Sequence, residues 1–204
     1  VVRERGTIVA KIFVVRGKSA SGKDTIYKTL ASDETLNLKE VVSYTTRPIR
    51  EGETEGTEYH FVTDEVLQEL LQADKVIEHR AYHTVHGVWN YFTVNDGQIN
   101  LRDDNYIIIG TLESFCQIVK YYGEDVVKPI YIEVENGERL TRALSREKKQ
   151  AVPKYEEMCR RFLADEQDFS EKNIMEAGIT QRFENHHFKT CIEKIRAYIL
   201  GNIK

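Results

Sequence analysis

Cysteine is scarce in this chain, and the few cysteines present form no pattern. Cys116, Cys159 and Cys191 are widely spaced along 204 residues and odd in number. A disulfide framework needs paired cysteines and a zinc site needs clustered ligands, so the spacing fits neither. We therefore expect three reduced, buried thiols.

Long apolar runs and an excess of basic residues are also missing. No run approaches the roughly 18 residues that a membrane-spanning helix needs, and the first residues show no signal-peptide pattern. The formal net charge is −4, which argues against a general nucleic-acid-binding protein. Local basic clusters must therefore attract any anionic ligand. The composition, with 41% hydrophobic and 30% charged residues, is that of an ordinary globular protein, which we expect to be cytoplasmic.

The most informative stretch is a glycine-rich loop between an apolar run and a helical pattern. The run is Ile8–Val15, and Gly-x4-Gly-Lys spacing follows it. Gly17 and Gly22 free the backbone to turn its N–H groups inward, and Lys23 adds a positive charge where a helix begins. This arrangement is typical of a phosphate-binding loop. The residues expected to line it are Gly17, Ser19, Ala20, Ser21, Gly22, Lys23, Asp24 and Thr25.

Position 24 departs from the usual form of such loops. Asp24 stands where a hydroxyl residue usually helps to hold Mg²⁺, and Thr25 follows immediately. A carboxylate is a good hard-oxygen ligand, so Mg²⁺ could be held through Asp24, or Thr25 could take over that role. The sequence leaves both alternatives open.

A second basic segment follows a short strand pattern at Glu40–Ser43. Arg47 and Arg50 lie three residues apart around Pro48. Two planar guanidinium groups held close together suit a phosphate that must be gripped in one orientation, and Tyr59 adds a neutral hydroxyl donor. A second anion site beside a phosphate loop is what phosphoryl transfer between two phosphorylated molecules needs.

Four segments together resemble the guanylate kinases, which are nucleoside monophosphate kinases of the P-loop class. They are Gly17–Thr25, Ser43–Glu53, Gly56–Phe61 and Val76–Glu78, in matching order and spacing. The resemblance implies a reaction in which ATP and GMP become ADP and GDP, with Mg²⁺ as the metal. The expected partners are therefore the small molecules GMP and ATP, with no nucleic acid and no membrane. The sequence carries no indication of oligomeric state.

The resemblance also implies a GMP site built from the second basic segment and the strands that follow it. The two arginines and Tyr59 would hold the phosphate of GMP, and Glu53 would orient the arginines. Glu78 would accept both N–H donors on the Watson–Crick edge of guanine, which adenine does not offer in the same pattern, and Ser43 would lie beside it. The residues expected to bind GMP are Ser43, Arg47, Arg50, Glu53, Tyr59, Glu78, Tyr91 and Thr93.

Two helical patterns between residues 137 and 169 resemble the lid that closes over ATP in this family. Arg142 and Arg146 lie four apart and share one helix face. Arg161 of the following helix is expected to join them, with Arg160 nearly as well placed. Asn185 lies where the family usually meets adenine. The catalytic residues that the resemblance implies are Lys23, Arg47, Arg142, Arg146 and Arg161.

Two segments depart from the family pattern. His86–Thr93 is longer than the usual turn, and the strand Asn105–Gly110 ends in Ile and Gly where acidic residues are usual. Two alternatives therefore stay open: a P-loop kinase of another small phosphorylated acceptor, or an inactive guanylate-kinase-like module that binds phosphorylated peptides through the second basic segment. The intact Gly17–Lys23 loop argues against the module, because a binding module has no need of an ATP site.

Strand and helix patterns alternate at both ends of the chain. The predicted fold is therefore α/β, a three-layer P-loop NTPase fold with a mainly parallel central sheet, an inserted nucleotide-binding lobe and a helical lid. We expect a single guanylate kinase-like domain over residues 1–204. Its expected parts are a core of residues 1–37, 99–137 and 166–204, a GMP-binding lobe of residues 38–98, and a lid of residues 138–165.

Apolar spacing predicts which faces of the C-terminal helices are buried. In the helix Gly137–Lys149 we expect Leu140, Ala143 and Leu144 to face inward. Pro153 is expected to lie in the first turn of the next helix. The expected buried stripe of that helix is Tyr155, Met158, Phe162 and Phe169.

Overall fold

A five-stranded sheet with parallel strands forms the centre of the protein. The computed structural model describes residues 10–84 and 87–203. The strands are β1 (Ile12–Arg16), β2 (Leu38–Glu40), β3 (Tyr44–Thr45), β4 (His60–Phe61), β5 (Val76–Thr84), β6 (Gly87–Val94), β7 (Asn105–Ile109), β8 (Val127–Glu133) and β9 (Arg182–Glu184). The helices are α1 (Lys23–Ala31), α2 (Asp64–Gln72), α3 (Leu112–Tyr122), α4 (Asn136–Glu147), α5 (Tyr155–Asp168), α6 (Glu171–Glu176) and α7 (Phe188–Asn202). The central sheet has the order β2-β7-β1-β8-β9, and each of these pairings is parallel.

Helices cover both faces of the central sheet, because its middle strand is apolar on both sides. Val14 of β1 packs in a cluster with Phe115 of α3, whereas Val15 packs in a second cluster with Ile26 of α1 and Ile195 of α7. A strand buried on both faces reads as a continuous apolar run rather than an alternating one. The predicted three-layer α/β fold with a parallel central sheet is confirmed. Residues 8 and 9 of the predicted apolar run lie outside the described residues.

A smaller four-stranded sheet is inserted between β2 and β7. Its order is β4-β3-β6-β5, with β5 and β6 forming a long antiparallel hairpin. Gln117 of α3 accepts a hydrogen bond from the backbone N–H of His79 at 2.9 Å and donates one to its carbonyl at 3.0 Å. These two hydrogen bonds between the side chain of Gln117 and the backbone of His79 fix the hairpin against the core.

The buried face of α4 differs from the expected one. Leu140 and Leu144 are exposed, whereas Arg139, Ala143 and Glu147 are buried. Arg139 is 1% exposed, and its guanidinium donates hydrogen bonds to partners on two other segments of the fold, the loop after β1 and α5. Burial of a charged side chain is tolerated where its donors are satisfied. The expectation for Ala143 was correct, and those for the two leucines were wrong.

The next helix also departs from the expected pattern. Pro153 precedes α5, which begins at Tyr155, and Tyr155 itself is exposed. Phe169 is buried, and it follows the last residue of the helix.

Two of the three cysteines, Cys116 and Cys159, are exposed rather than buried, and all three are free thiols. None of the helices in the described part of the chain combines the length and apolar character that crossing a bilayer requires.

Candidate active site

The loop between β1 and α1 takes its shape from two glycines. Gly17 has φ of +156°, and a Cβ at this position would lie 2.6 Å from the carbonyl oxygen of Ile132. Gly22 has φ of +85°, and a Cβ there would lie 2.6 Å from Nδ2 of Asn185. A side chain is excluded at both positions by sterics and, at Gly22, also by the left-handed backbone. The two glycines of the predicted phosphate loop are therefore required by the fold of the loop.

The loop offers donors that suit a phosphate group. Gly22 is the N-cap of α1, and no side chain among the described residues caps this helix start. The hydroxyl of Ser21 is fully buried and has no hydrogen-bond partner in the described part of the chain. Lys23 is 24% exposed, with its ammonium group 3.7 Å from a carboxylate oxygen of Asp24. A helix N-terminus, an unsatisfied hydroxyl and an accessible cation together fit an anionic ligand.

The two candidate metal ligands differ in position. Asp24 is 76% exposed and lines a large cleft, whereas Thr25 is exposed but does not line that cleft. Within residues 10–84 and 87–203, no group of three or more acidic, His or Cys side chains could hold a metal by itself. Mg²⁺ in phosphotransfer sites is usually bound by one or two carboxylates and by substrate phosphates, so the single carboxylate of Asp24 fits that mode.

This cleft, the main cleft of the protein's described part, has a volume of about 1380 Å³ and opens between the edge of the central sheet and the smaller sheet. The phosphate loop contributes Gly17 and Lys23 at one end. The smaller sheet and the segment before it contribute Ser43 and Tyr59 at the other. Ser19, Asp24, Arg80, Cys116 and Asp165 also line the cleft.

Arg47 is held in a bidentate ion pair with Glu53. Its two terminal nitrogens donate to the two carboxylate oxygens of Glu53 at 2.7 and 2.6 Å. Arg47 is 3% exposed, and its guanidinium carbon lies 5.2 and 5.3 Å from the ring centroids of Tyr59 and Phe61. Glu53 also accepts the backbone N–H of Arg50 at 2.8 Å. One carboxylate thus fixes both the fork of the first arginine and the backbone of the second.

The hydrogen bonds from Arg47 lower the pKa of Glu53 from 4.5 to about 2. A carboxylate whose pKa is lower in the folded state stabilises the fold above its unfolded pKa, and this contribution is lost as the pH falls through the folded value. We therefore expect the wild-type protein to lose stability between about pH 4.5 and pH 2 more steeply than Glu53→Gln. Urea unfolding midpoints measured across this range check it. Parallel profiles for the two proteins would contradict the assignment.

Arg50 differs from Arg47 in its exposure and in its contacts. It is exposed, and its guanidinium lies 5.9 Å from the centroid of the Trp89 ring, on the hairpin of the smaller sheet. Cation–π contact of this kind orients an arginine without using its N–H donors. The donors of Arg50 therefore remain available to an incoming phosphate.

Glu78 lies at the centre of a polar cluster in the smaller sheet. It is 2% exposed and directly opposite Thr93, whose hydroxyl donates to it at 2.9 Å. The hydroxyl of Ser43 lies 3.3 Å from that of Thr93. Three residues predicted to surround the guanine thus meet at one point. Tyr91 lies two pairs further along the same hairpin, opposite Arg80.

Arg80 is a member of this cluster that sequence reasoning missed. Its Nε and one terminal nitrogen donate to the two oxygens of Glu78 at 2.9 and 3.1 Å. The available signal was strand periodicity, because side chains two residues apart on a strand point to the same face. Arg80 and Glu78 are two apart on β5, and Arg80 lines the cleft together with Tyr59.

Arg142 and Asn185 form a chain of contacts that ends on the phosphate loop. Arg142 donates to Glu138 and to the backbone carbonyl of Asn185, the latter at 2.7 Å. The side-chain amide of Asn185 donates to the carbonyl of Ser21 at 2.8 Å. Asn185 is buried and packs against the phosphate loop. The first predicted lid arginine is therefore connected to the loop through one residue.

Arg146 and Arg161 lie apart from the main cleft. Both line a smaller cavity of about 210 Å³ between α4 and α5, which the loop residue Ser19 also lines. Arg161 donates to Glu157 at 2.7 Å, and Arg160 pairs with the same carboxylate. Hydrogen bonds from Arg160 and Arg161 lower the pKa of Glu157 to about 2. Of Arg160 and Arg161, Arg161 is the one that lines this cavity.

Arg139 was also missed, and it connects the phosphate loop to α5. Its guanidinium donates to the carbonyl of Ser19 at 3.1 Å, to Asp165 at 3.2 Å and to Glu166 at 2.8 Å. Asp165 in turn accepts the backbone N–H of Ser19 at 2.6 Å, and Lys18 donates to Glu166 at 2.9 Å. The start of the loop is thus hydrogen-bonded to two carboxylates of α5. Helical spacing offered a signal, since Arg139 lies one turn before Arg142.

Comparisons with known proteins agree on one family. The family model described as Guanylate kinase matches residues 9–199. The guanylate kinase of Porphyromonas gingivalis is 28% identical over 193 residues, which cover 94% of this chain and 97% of that protein. That of Schizosaccharomyces pombe is 44% identical over 72 residues, covering 35% and 36%. A crystal structure of guanylate kinase from Anaplasma phagocytophilum has the same fold, with a TM-score of 0.62 at 21% identity, over 95% of this chain and 86% of that one. The chain belongs to the guanylate kinase family.

Proposed function

We propose that this protein transfers the γ-phosphoryl group of ATP to the phosphate of GMP. The observation that carries the proposal is that the Gly17–Lys23 loop and two members of the polar cluster around Glu78, Ser43 and Arg80, line one cleft. Direct transfer needs donor and acceptor phosphates to meet in such a shared space, aligned and shielded from water. Family membership favours neither a different acceptor nor a phosphopeptide-binding module.

The donor end would act by neutralising charge. Phosphoryl transfer needs little covalent help from the protein, so positioning and electrostatic stabilisation supply most of the rate. Lys23 would contact the transferring phosphate, and Arg142, Arg146 and Arg161 would reach it from α4 and α5. Asp24, with Thr25 as the alternative, would hold Mg²⁺, which supplies positive charge to the oxygens of ATP when bound.

The acceptor end would fix GMP in two places. Arg47, Arg50 and Tyr59 would hold its phosphate, with Glu53 keeping the fork of Arg47 in position. Glu78, with Ser43, Tyr91 and Thr93 around it, would accept the N–H donors of guanine. Because Arg80 now occupies both oxygens of Glu78, guanine must displace some of these bonds. The freed donors of Arg80 are suited to the acceptors O6 and N7 of the same base.

Two parts of the chain would close over the substrates. We propose that residues 38–98 form a GMP-binding lobe and residues 138–165 a lid, both attached to a core of residues 1–37, 99–137 and 166–204. Closure would exclude water, which otherwise competes with GMP as acceptor. ATP and GMP are substrates of the cell interior, so we place the reaction in the cytoplasm.

The test of the function is ADP release from ATP and Mg²⁺ with a panel of acceptors. We expect rapid release with GMP and little with AMP, UMP or a sugar phosphate. We further expect Glu78→Gln to weaken GMP binding by about 1.5–3 kcal/mol, because a hydrogen bond to a charged group is lost. Thr84→Ala, further along the same strand, is the matched control. Equal release with GMP and AMP, or release without any acceptor, would contradict the proposal.

A further inference from the structure

Arg16 is a buried guanidinium without hydrogen-bond partners, directly before the phosphate loop. It is the last residue of β1 and is 0% exposed. All three of its side-chain nitrogens are buried, and none has a hydrogen-bond partner within the described residues. The guanidinium stacks on an aromatic face: its central carbon lies 3.5 Å from the centroid of the Phe115 ring.

This position is unfavourable for an arginine on grounds of stability alone. A guanidinium carries five N–H donors and stays protonated in proteins, so burying it without acceptors has a large desolvation cost. Burial lowers the pKa of Arg16 well below its usual value, which is the same cost expressed as a proton affinity. Stacking on Phe115 offsets only part of it. An apolar side chain of similar size would suit the surrounding core better.

The location of Arg16 suggests what the charge is for. Along β1, Ile12 and Val14 face the cluster that contains Phe115, and Arg16 continues that alternation. The residue after Arg16 is Gly17, and the residue after Phe115 is Cys116, and both line the main cleft. The guanidinium therefore lies just behind the cleft wall, where the phosphate loop meets α3. A charge in such a low-dielectric wall is poorly screened.

We propose that Arg16 is a positioning residue for phosphates, a fixed positive charge that attracts the polyphosphate of ATP through the cleft wall without touching it. The inference rests on the proposed use of the Gly17–Lys23 loop for ATP, and not on the identity of the acceptor. Two unit charges about 10 Å apart, at an effective dielectric constant of about 20, change a binding equilibrium by roughly tenfold. The stability lost by burying the charge is thus exchanged for phosphate affinity.

The test uses Arg16→Met, which keeps the length of the side chain and removes the charge. We expect the variant to unfold at a higher urea concentration than wild type and yet to bind ATP roughly tenfold more weakly in calorimetry. The loss should be smaller for ADP and absent for adenosine, because it scales with ligand charge. Lys11→Met is the matched control, since it removes one positive charge about 16 Å away along the same segment.

Three outcomes would overturn the inference. A less stable Arg16→Met with unchanged ATP affinity would make Arg16 a structural residue. A more stable variant with unchanged ATP affinity would mean that the charge does not act on the phosphates. Equal losses for ATP and adenosine would indicate a distorted loop rather than a missing charge. Because ATP binding is measured without an acceptor, failure of GMP as substrate leaves this test intact.

Discussion

Lys23→Met is expected to lower the turnover of ATP and GMP by about 10²–10³-fold, the range seen when one preorganised electrostatic group is removed from an active site. Lys23 is the first residue of α1, and its ammonium group lies at the cleft end that the loop glycines shape. Methionine keeps the length of the chain and its packing while removing the charge. The transferring phosphoryl group spreads negative charge over its oxygens, so the loss should fall mainly on kcat.

Lys28 supplies the control for this substitution. It lies on the same helix and lines the same cleft, but five residues further from the loop. Lys28→Met removes the same charge and should change kcat by less than about twofold, because a more distant, solvent-exposed charge is screened. Steady-state turnover at saturating GMP and ATP, with circular dichroism to verify folding, separates the two variants. Similar losses in both would mean that net charge, and not the position of Lys23, matters.

The parts of the fold that the sequence predicts are those set by short-range chemistry. The phosphate loop follows from Gly17 and Gly22, since each occupies a backbone position that a Cβ would block. The parallel central sheet follows from apolar runs such as that of β1, which has to be buried on both faces. Each of these features depends on neighbours within a few residues.

The parts that the sequence does not predict depend on partners far along the chain. Arg139 reads as a polar residue on a helix surface, yet it is buried because its acceptors come from Ser19 and from Asp165. Helical periodicity therefore predicts that Leu140 and Leu144 are buried, whereas the buried face of α4 is the one that carries Arg139. A pattern of apolar residues cannot identify a buried charge whose partners are 26 and 120 positions away.

Three predicted phosphate-binding arginines share one property that only the structure reveals. Arg47, Arg142 and Arg161 each hydrogen-bond a glutamate of the protein, namely Glu53, Glu138 and Glu157. A carboxylate occupies part of the fork that a phosphate would bind, so each arginine is oriented in advance of the ligand. With five donors per guanidinium, an arginine can keep one carboxylate and still bind a phosphate oxygen. Each of the three guanidinium groups is thus paired with a carboxylate before substrate arrives.

Arg47→Ala tests this arrangement where it is best defined, and it is expected to weaken GMP binding by about 1.5–3 kcal/mol, or roughly 10- to 150-fold in Kd. The substitution removes the charged donors and also leaves Glu53 without its bidentate partner. A negative carboxylate beside the phosphate would then repel it. Isothermal titration of GMP measures the effect, and Arg102→Ala, an exposed arginine on a turn before β7, is the control.

The double variant Arg47→Ala/Glu53→Gln separates binding from stability. In the single variant Arg47→Ala, the unpaired Glu53 lowers the free energy of unfolding as well as the GMP affinity. Neutralising Glu53 removes the unpaired charge, so the double variant should recover stability but not GMP binding, because the guanidinium is still missing. Arg47→Lys should lie between wild type and alanine, since it keeps the charge and loses the planar fork. Recovery of GMP affinity in the double variant would assign the loss to repulsion by Glu53, and Arg47 would then act on GMP only by neutralising that carboxylate.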